Sequence, residues 1–331
     1  MKPNRKDWLL WLCALAASLV LLVVANASTA QPLPRRPGGA SQPQMIPFTD
    51  SFTDFSENHH SISCEISAVG YQRELGSVGF IAQRWHAWLN QKMYEKALGG
   101  VQRIKDQVEV LGCSFSLAPP GPSWWTPSLS CSRSDPNFRD EAWQTINEWK
   151  RELDREKDEV LKAFYSSRSL RLNNQGKLDI DYAAVVQRAT PLLKGCAQGL
   201  VKEGGNKLDA NFFTSFLQQL KYDKLGKNAE GEVHVQDFLV PTQVLVEKRG
   251  DCDSKAATFC ALWRSYSTDV ILLVSDRHAI VGYKAPANTP LPSYPIGLNR
   301  YVPCDVSGQW SPLPRCGNVP PGNYRPIFTN G

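Results

Sequence analysis

The stretch Arg249-Gly250-Asp251-Cys252-Asp253-Ser254-Lys255-Ala256, leading into the apolar run Ala257 to Trp263, constrains this chain more than any other. A glycine turn with acidic punctuation before such a run predicts a helix that starts at the cysteine. In the first turn of a helix, unpaired backbone N–H groups and the positive end of the macrodipole favour thiolate over thiol. Gly250 suits the backbone conformation of a sharp helix entry, and Ala256, Ala257, Phe259, Cys260, Leu262 and Trp263 bury the rest of the helix. The expectation is a buried post with one sulfur, that of Cys252, at its tip.

Downstream, Asp269 to Ser275 reads as a buried strand, and His278-Ala-Ile-Val-Gly-Tyr283 as a second strand with a histidine at its start. A third candidate, Tyr301-Val-Pro-Cys-Asp305, ends in a carboxylate. Cysteine on a helix N-terminus, then histidine and aspartate on successive strands, is the order needed for a nucleophile, a general base and a group that orients the base. Asp276 is nearer to the histidine in sequence, but side chains that close along a chain rarely face one another, so Asp305 is expected to be the acid. The adjoining Asp251 and Asp253 oppose a negative sulfur unless a histidinium offsets them, which is a further reason to expect His278 at the site.

Val240-Pro241-Thr-Gln-Val244-Leu245, Arg249 to Ala256 and His278 to Tyr283 together resemble the core of bacterial transglutaminase-like cysteine peptidases. Phe216 to Tyr222 is similar to the helix that precedes that core, so the resemblance covers Ile180 to Gly308. It implies an α+β fold of the papain and transglutaminase type, a nucleophile helix packed on an antiparallel sheet, with Cys252, His278 and Asp305 as a triad. The Pro-rich stretch Ala285 to Pro295 departs from the family, which brings the acid sooner after the histidine strand. The implied activity is hydrolysis of protein or peptide amide bonds through a thioester. A crosslinking transglutaminase and a non-catalytic binding or assembly module on the same scaffold stay open.

At 331 residues with 42% hydrophobic content the chain has room for one large or two medium domains. Lys2, Arg5 and Lys6 precede an apolar run from Trp8 to Ala25 and the small-residue exits Ala25-Asn-Ala27 and Ser28-Thr-Ala30. Residues 1–30 therefore read as a signal peptide or a membrane anchor, with the body outside the cytoplasmic membrane. Residues 31–60 read as a flexible linker, its Gln31 to Gln44 portion rich in Pro, Gly and Ser. Residues 61–168 form a mostly helical accessory region, and 169–331 the transglutaminase-like domain.

Within the accessory region, Phe80 to Leu111 has helical spacing broken at Gly99-Gly100. Glu141 to Phe164 is an amphipathic helix with Ile146, Leu153 and Val160 seven apart. The breaker-rich loop between them carries Trp124 and Trp125, which are expected to pin it to the core.

Beyond the leader the cysteines are Cys64, Cys113, Cys131, Cys196, Cys252, Cys260, Cys304 and Cys316. In an oxidising compartment most should pair. If Cys252 stays free, at least one other does too, and Cys260, on the buried side of the same helix, is the best candidate. Cys113 with Cys131 and Cys304 with Cys316 are candidate bridges, and spacing alone does not fix the pairing.

The formal charge of +5 falls to about +3 without the leader, and no long basic run or nucleic-acid module accompanies it, so no nucleic-acid partner is expected. No paired CxxC or HxxxH spacing points to zinc. His59 and His60 read as a solvated loop, and His86 and His234 lack partners. No cofactor or metal is expected; the expected partner is a protein or peptide substrate, with membrane anchoring through the leader as a further attachment.

Overall fold

A computed structural model of the protein describes residues 44–329 apart from 81, 122, 133–134, 224–237, 285–289 and 309–322, and without the side chains of 82–84. The described chain is a mixed α+β structure of seven helices and a curled five-stranded antiparallel half-barrel sheet, with short hairpins around it. The leader and Gln31 to Pro43 lie outside the described residues, as do His234 and Cys316. Among the described residues no helix is long and apolar enough to cross a membrane.

The chain enters as an antiparallel hairpin of β1 (Met45–Thr53) and β2 (His59–Ser67). This corrects the reading of 31–60 as linker throughout. Ile46, Phe48 and Phe52 share one face of β1 at a period of two, and Phe48 and Phe52 are buried. A short alternating strand beside polar sequence is easy to read as a tail. Helix α1 (Ala68–Leu75) comes next, capped by the Ser67 side chain, which accepts from the Gly70 N–H.

Two long helices, α2 (Ala82–Glu109) and α3 (Pro136–Ser167), run antiparallel and are joined by a hairpin of β3 (Cys113–Leu117) and β4 (Pro127–Cys131). Gly99-Gly100 does not break α2. A Cβ on Gly100 would come within 2.9 Å of the Trp149 Nε1 on α3, so this glycine is a place of close helix approach. Ile146 and Leu153 are buried against Met93, Ala97 and Ile104, so the heptad stripe is satisfied inside the chain. Trp124 is buried in the same cluster and Trp125 meets Trp149 edge-on at 5.4 Å, which holds the breaker-rich loop to the hairpin as expected. His86 is exposed, with its ring against Trp85.

After a small hairpin of β5 (Leu170–Leu172) and β6 (Leu178–Ile180) comes α4 (Tyr182–Glu203), then α5 (Ala210–Gln219), β7 (Lys221–Tyr222), α6 (Pro241–Glu247), β8 (Arg249–Gly250) and α7 (Cys252–Trp263). The sheet has the order β11 (Tyr294–Ile296), β12 (Asn299–Cys304), β10 (Ala279–Lys284), β9 (Val270–Val274), β13 (Arg325–Phe328). From Ala256 to Leu262 every residue of α7 is buried, because the helix lies between α4 and the inner sheet face of Val270, Leu272, Ala279, Val281 and Val302. Phe48, Phe52 and Ile66 of the first hairpin enter that same core, and Cys64 on β2 is disulfide-bonded to Cys196 on α4. Cys113 and Cys131, directly opposite on β3 and β4, form a second bridge. Cys304 is also disulfide-bonded, its expected partner Cys316 being among the residues not described.

Candidate active site

Helix α7 starts as its sequence implies. Asp251 is the N-cap, its carboxylate accepting from the Ser254 N–H at 3.2 Å, and Cys252 is the first helical residue. Helix geometry leaves the Cys252 N–H without an intrahelical acceptor. Gly250 does not adopt a positive φ; it is needed for space instead, since a Cβ there would sit 3.2 Å from the Val244 side chain and 3.3 Å from that of Ser254. Cys252 is free and half-buried, and Cys260 is free and buried, with burial pushing its thiol well above the ordinary range. One sulfur is thus presented and the other is sealed in the core.

His278 closes the turn between β9 and β10. Ser275 Oγ accepts from the His278 N–H at 3.1 Å and donates to its carbonyl at 3.0 Å, which fixes the backbone that carries the imidazole. The ring's Nε2 lies 2.9 Å from Asp305 Oδ2 and the side chain also hydrogen-bonds Cys252. With Nε2 committed to the carboxylate, Nδ1 is the nitrogen left for the sulfur. The hydrogen bond to Asp305, then that to Cys252, outweigh burial and raise the imidazole to about 10.

Asp305 is the residue after β12, and β12 is the antiparallel neighbour of β10 with Cys304 opposite Val281, so the sheet brings the acid to the start of the histidine strand. Of the chain between β10 and β12, Tyr294–Ile296 forms the edge strand β11 against β12. Burial works against a charge on Asp305, but hydrogen bonds from His278 and from Ser307 prevail and hold its carboxyl below the usual range. Ser307 donates to Oδ1 from its N–H at 2.9 Å and its hydroxyl at 2.8 Å. Gln218 Nε2 on α5 donates to the Asp305 carbonyl at 2.6 Å. Asp276 stands exposed in the β9–β10 turn.

The acids flanking Cys252 are managed by neighbours that sequence reasoning missed. Asp253 accepts from the Tyr182 hydroxyl at 2.7 Å and is hydrogen-bonded to Asp251. Burial first, then its contact with the Asp251 side chain, push the Asp253 carboxyl well up from the usual carboxylate range. Lys255 is fully buried one turn into the helix, where its Nζ donates to the Leu220 carbonyl at 2.6 Å. Burial lowers its ammonium to about 8, against the pull of Asp305 and Asp251.

Two of these could have been found in the sequence. Asp-Val-Ser at 305–307 is the spacing of an aspartate that accepts from the backbone two residues on. A lysine in the middle of an apolar helix invites a search for its acceptor. Tyr182 and Gln218 lie 71 and 87 residues from their partners and gave no local signal.

Among the described residues no cluster of three or more His, Cys, Asp or Glu is placed to hold a metal ion. Comparison of the chain with protein-family models, curated proteins and solved structures returned no match.

Proposed function

We propose that the protein is an exported thiol enzyme that cleaves protein or peptide amide bonds through a thioester, on a core of the papain and transglutaminase type. The observation that carries this reading is the chain of contacts from Cys252 on a helix N-terminus, through His278, to Asp305. Asp305 accepts from Nε2–H, so Nδ1 can exchange a proton with the sulfur. Cys252 attacks the amide carbon, forming a C–S bond, and the proton on Nδ1 goes to the amine as the C–N bond breaks. Water, deprotonated by the same nitrogen, then hydrolyses the thioester. The Cys252 N–H, in the first turn of the helix, would supply part of the hole for the tetrahedral oxyanion. An amine in place of water would give crosslinking on the same machinery. The bridges Cys64–Cys196 and Cys113–Cys131 support an oxidising, extracytoplasmic setting.

The test is to incubate wild type and Cys252→Ala with a peptide library and map new termini by mass spectrometry. Termini released by wild type alone, with an acid-trapped acyl adduct on Cys252, are the expected result. Identical peptide sets would reject the enzyme reading in favour of a binding module.

A further inference from the structure

A polar cavity of about 660 Å³ lies between the β5–β6 hairpin, the start of α4 and the end of β9, with Arg171, Asp179, Tyr182, Ser275, Asp276 and Arg325 in its walls. Its size is that of a ligand site. Two of its walls reach the proposed triad, one through a neighbour and one directly: Tyr182 donates to Asp253 beside Cys252, and Ser275 holds the backbone of His278. Material filling this cavity therefore lies against the supports of both the sulfur and the imidazole.

The charges lining it are unevenly matched. Asp179 is directly opposite Arg171 across the β5–β6 pair, yet its carboxylate is taken by Arg325 at 3.7 Å and by the Asn173 side-chain amide at 3.3 Å. Arg171 is half-buried and, among the described residues, no carboxylate lies within ion-pair distance of it. Asp276, the remaining acid, stands exposed at the rim-side turn. A half-buried guanidinium whose cross-strand acid is engaged elsewhere presents a rigid fork suited to an incoming carboxylate.

We propose that this cavity receives the substrate polypeptide beside the scissile amide and that Arg171 selects an acidic side chain on it. The inference rests on the thiol-enzyme reading, and its test separates the two. Peptidyl chloromethyl ketones that differ only in carrying Glu, Gln or Lys next to the reactive residue are compared by their rates of labelling Cys252. In wild type the Glu probe should label roughly tenfold or more faster than the Lys probe, as a charge-assisted pair implies. Arg171→Glu should invert that ratio, Arg171→Lys should keep its sign with a smaller size, and Asp276→Asn should increase it. Equal rates for the three probes, or a Glu preference that survives Arg171→Glu, would overturn the role of Arg171 while leaving the enzyme reading standing. If all three label Cys252 no faster than they label the urea-unfolded chain, the enzyme reading fails and the inference falls with it.

Discussion

At the scale of single residues, the account turns on which acid holds His278. Asp305→Asn keeps the shape of the side chain but loses the orienting charge, and turnover should fall by up to roughly 10⁴-fold with binding less affected. Asp276→Asn, in an exposed turn at the cavity wall, should lower turnover far less than Asp305→Asn and act on substrate preference instead. Steady-state kinetics of the two variants decide the matter, and the reverse ranking would move the acid to Asp276. The same pair gives a stability signature. The folded state raises His278 to about 10, so its contribution is complete below the ordinary histidine value near 6.5 and is lost as pH rises towards 10. Asp305 is lowered, so its contribution is present above the ordinary value near 3.9 and is lost as pH falls through the lowered one. The difference in unfolding free energy between wild type and Asp305→Asn should therefore be largest between about pH 4 and 6.5 and shrink as pH rises towards 10 and His278 loses its charge, leaving the part due to the Ser307 hydrogen bonds, as measured by urea denaturation across pH. A difference that does not vary with pH would mean that the two side chains are not coupled.

At the scale of elements, the sequence displayed the helix that carries Cys252 and the three strands around it because each is short, strongly apolar and bounded by polar breakers. β9, β10 and β12 lie where Asp269 to Ser275, His278 to Tyr283 and Tyr301 to Asp305 place them, within a residue or two. The α2–α3 packing was not legible, since Gly99-Gly100 looks the same in a sequence whether it ends a helix or admits a tryptophan. The two glycines can be told apart by substitution. Gly100→Val meets the Trp149 indole and should cost about 1–3 kcal/mol as overpacking, whereas Gly99→Ala, with nothing within 4 Å, should stabilise by about 0.5–1 kcal/mol through helix propensity. Thermal melts that show equal effects would contradict the close approach. The supports of the site, Tyr182 and Gln218, come from α4 and α5, and their roles depend on tertiary placement that local pattern does not encode.

At the scale of the whole molecule, the core that holds the site also takes in the β1–β2 hairpin, fastened to α4 by Cys64–Cys196 across 132 residues. A loop of that length gives a bridge worth about 2–5 kcal/mol, so the Cys64→Ser, Cys196→Ser double variant should melt clearly lower than Cys113→Ser, Cys131→Ser, whose bridge spans 18 residues at the tip of the helical hairpin. Equal shifts on differential scanning calorimetry would mean that both hairpins unfold as one unit with the core. The central claim is that Cys252 is a nucleophile activated by His278. Its most direct test is the rate at which iodoacetamide alkylates Cys252 at about pH 6, where an unassisted thiol hardly reacts, in wild type, in His278→Ala and in the urea-unfolded chain. The account predicts that folded wild type reacts at least about tenfold faster than the other two, with Cys260 unlabelled until the chain unfolds. Equal rates in wild type and His278→Ala would contradict it.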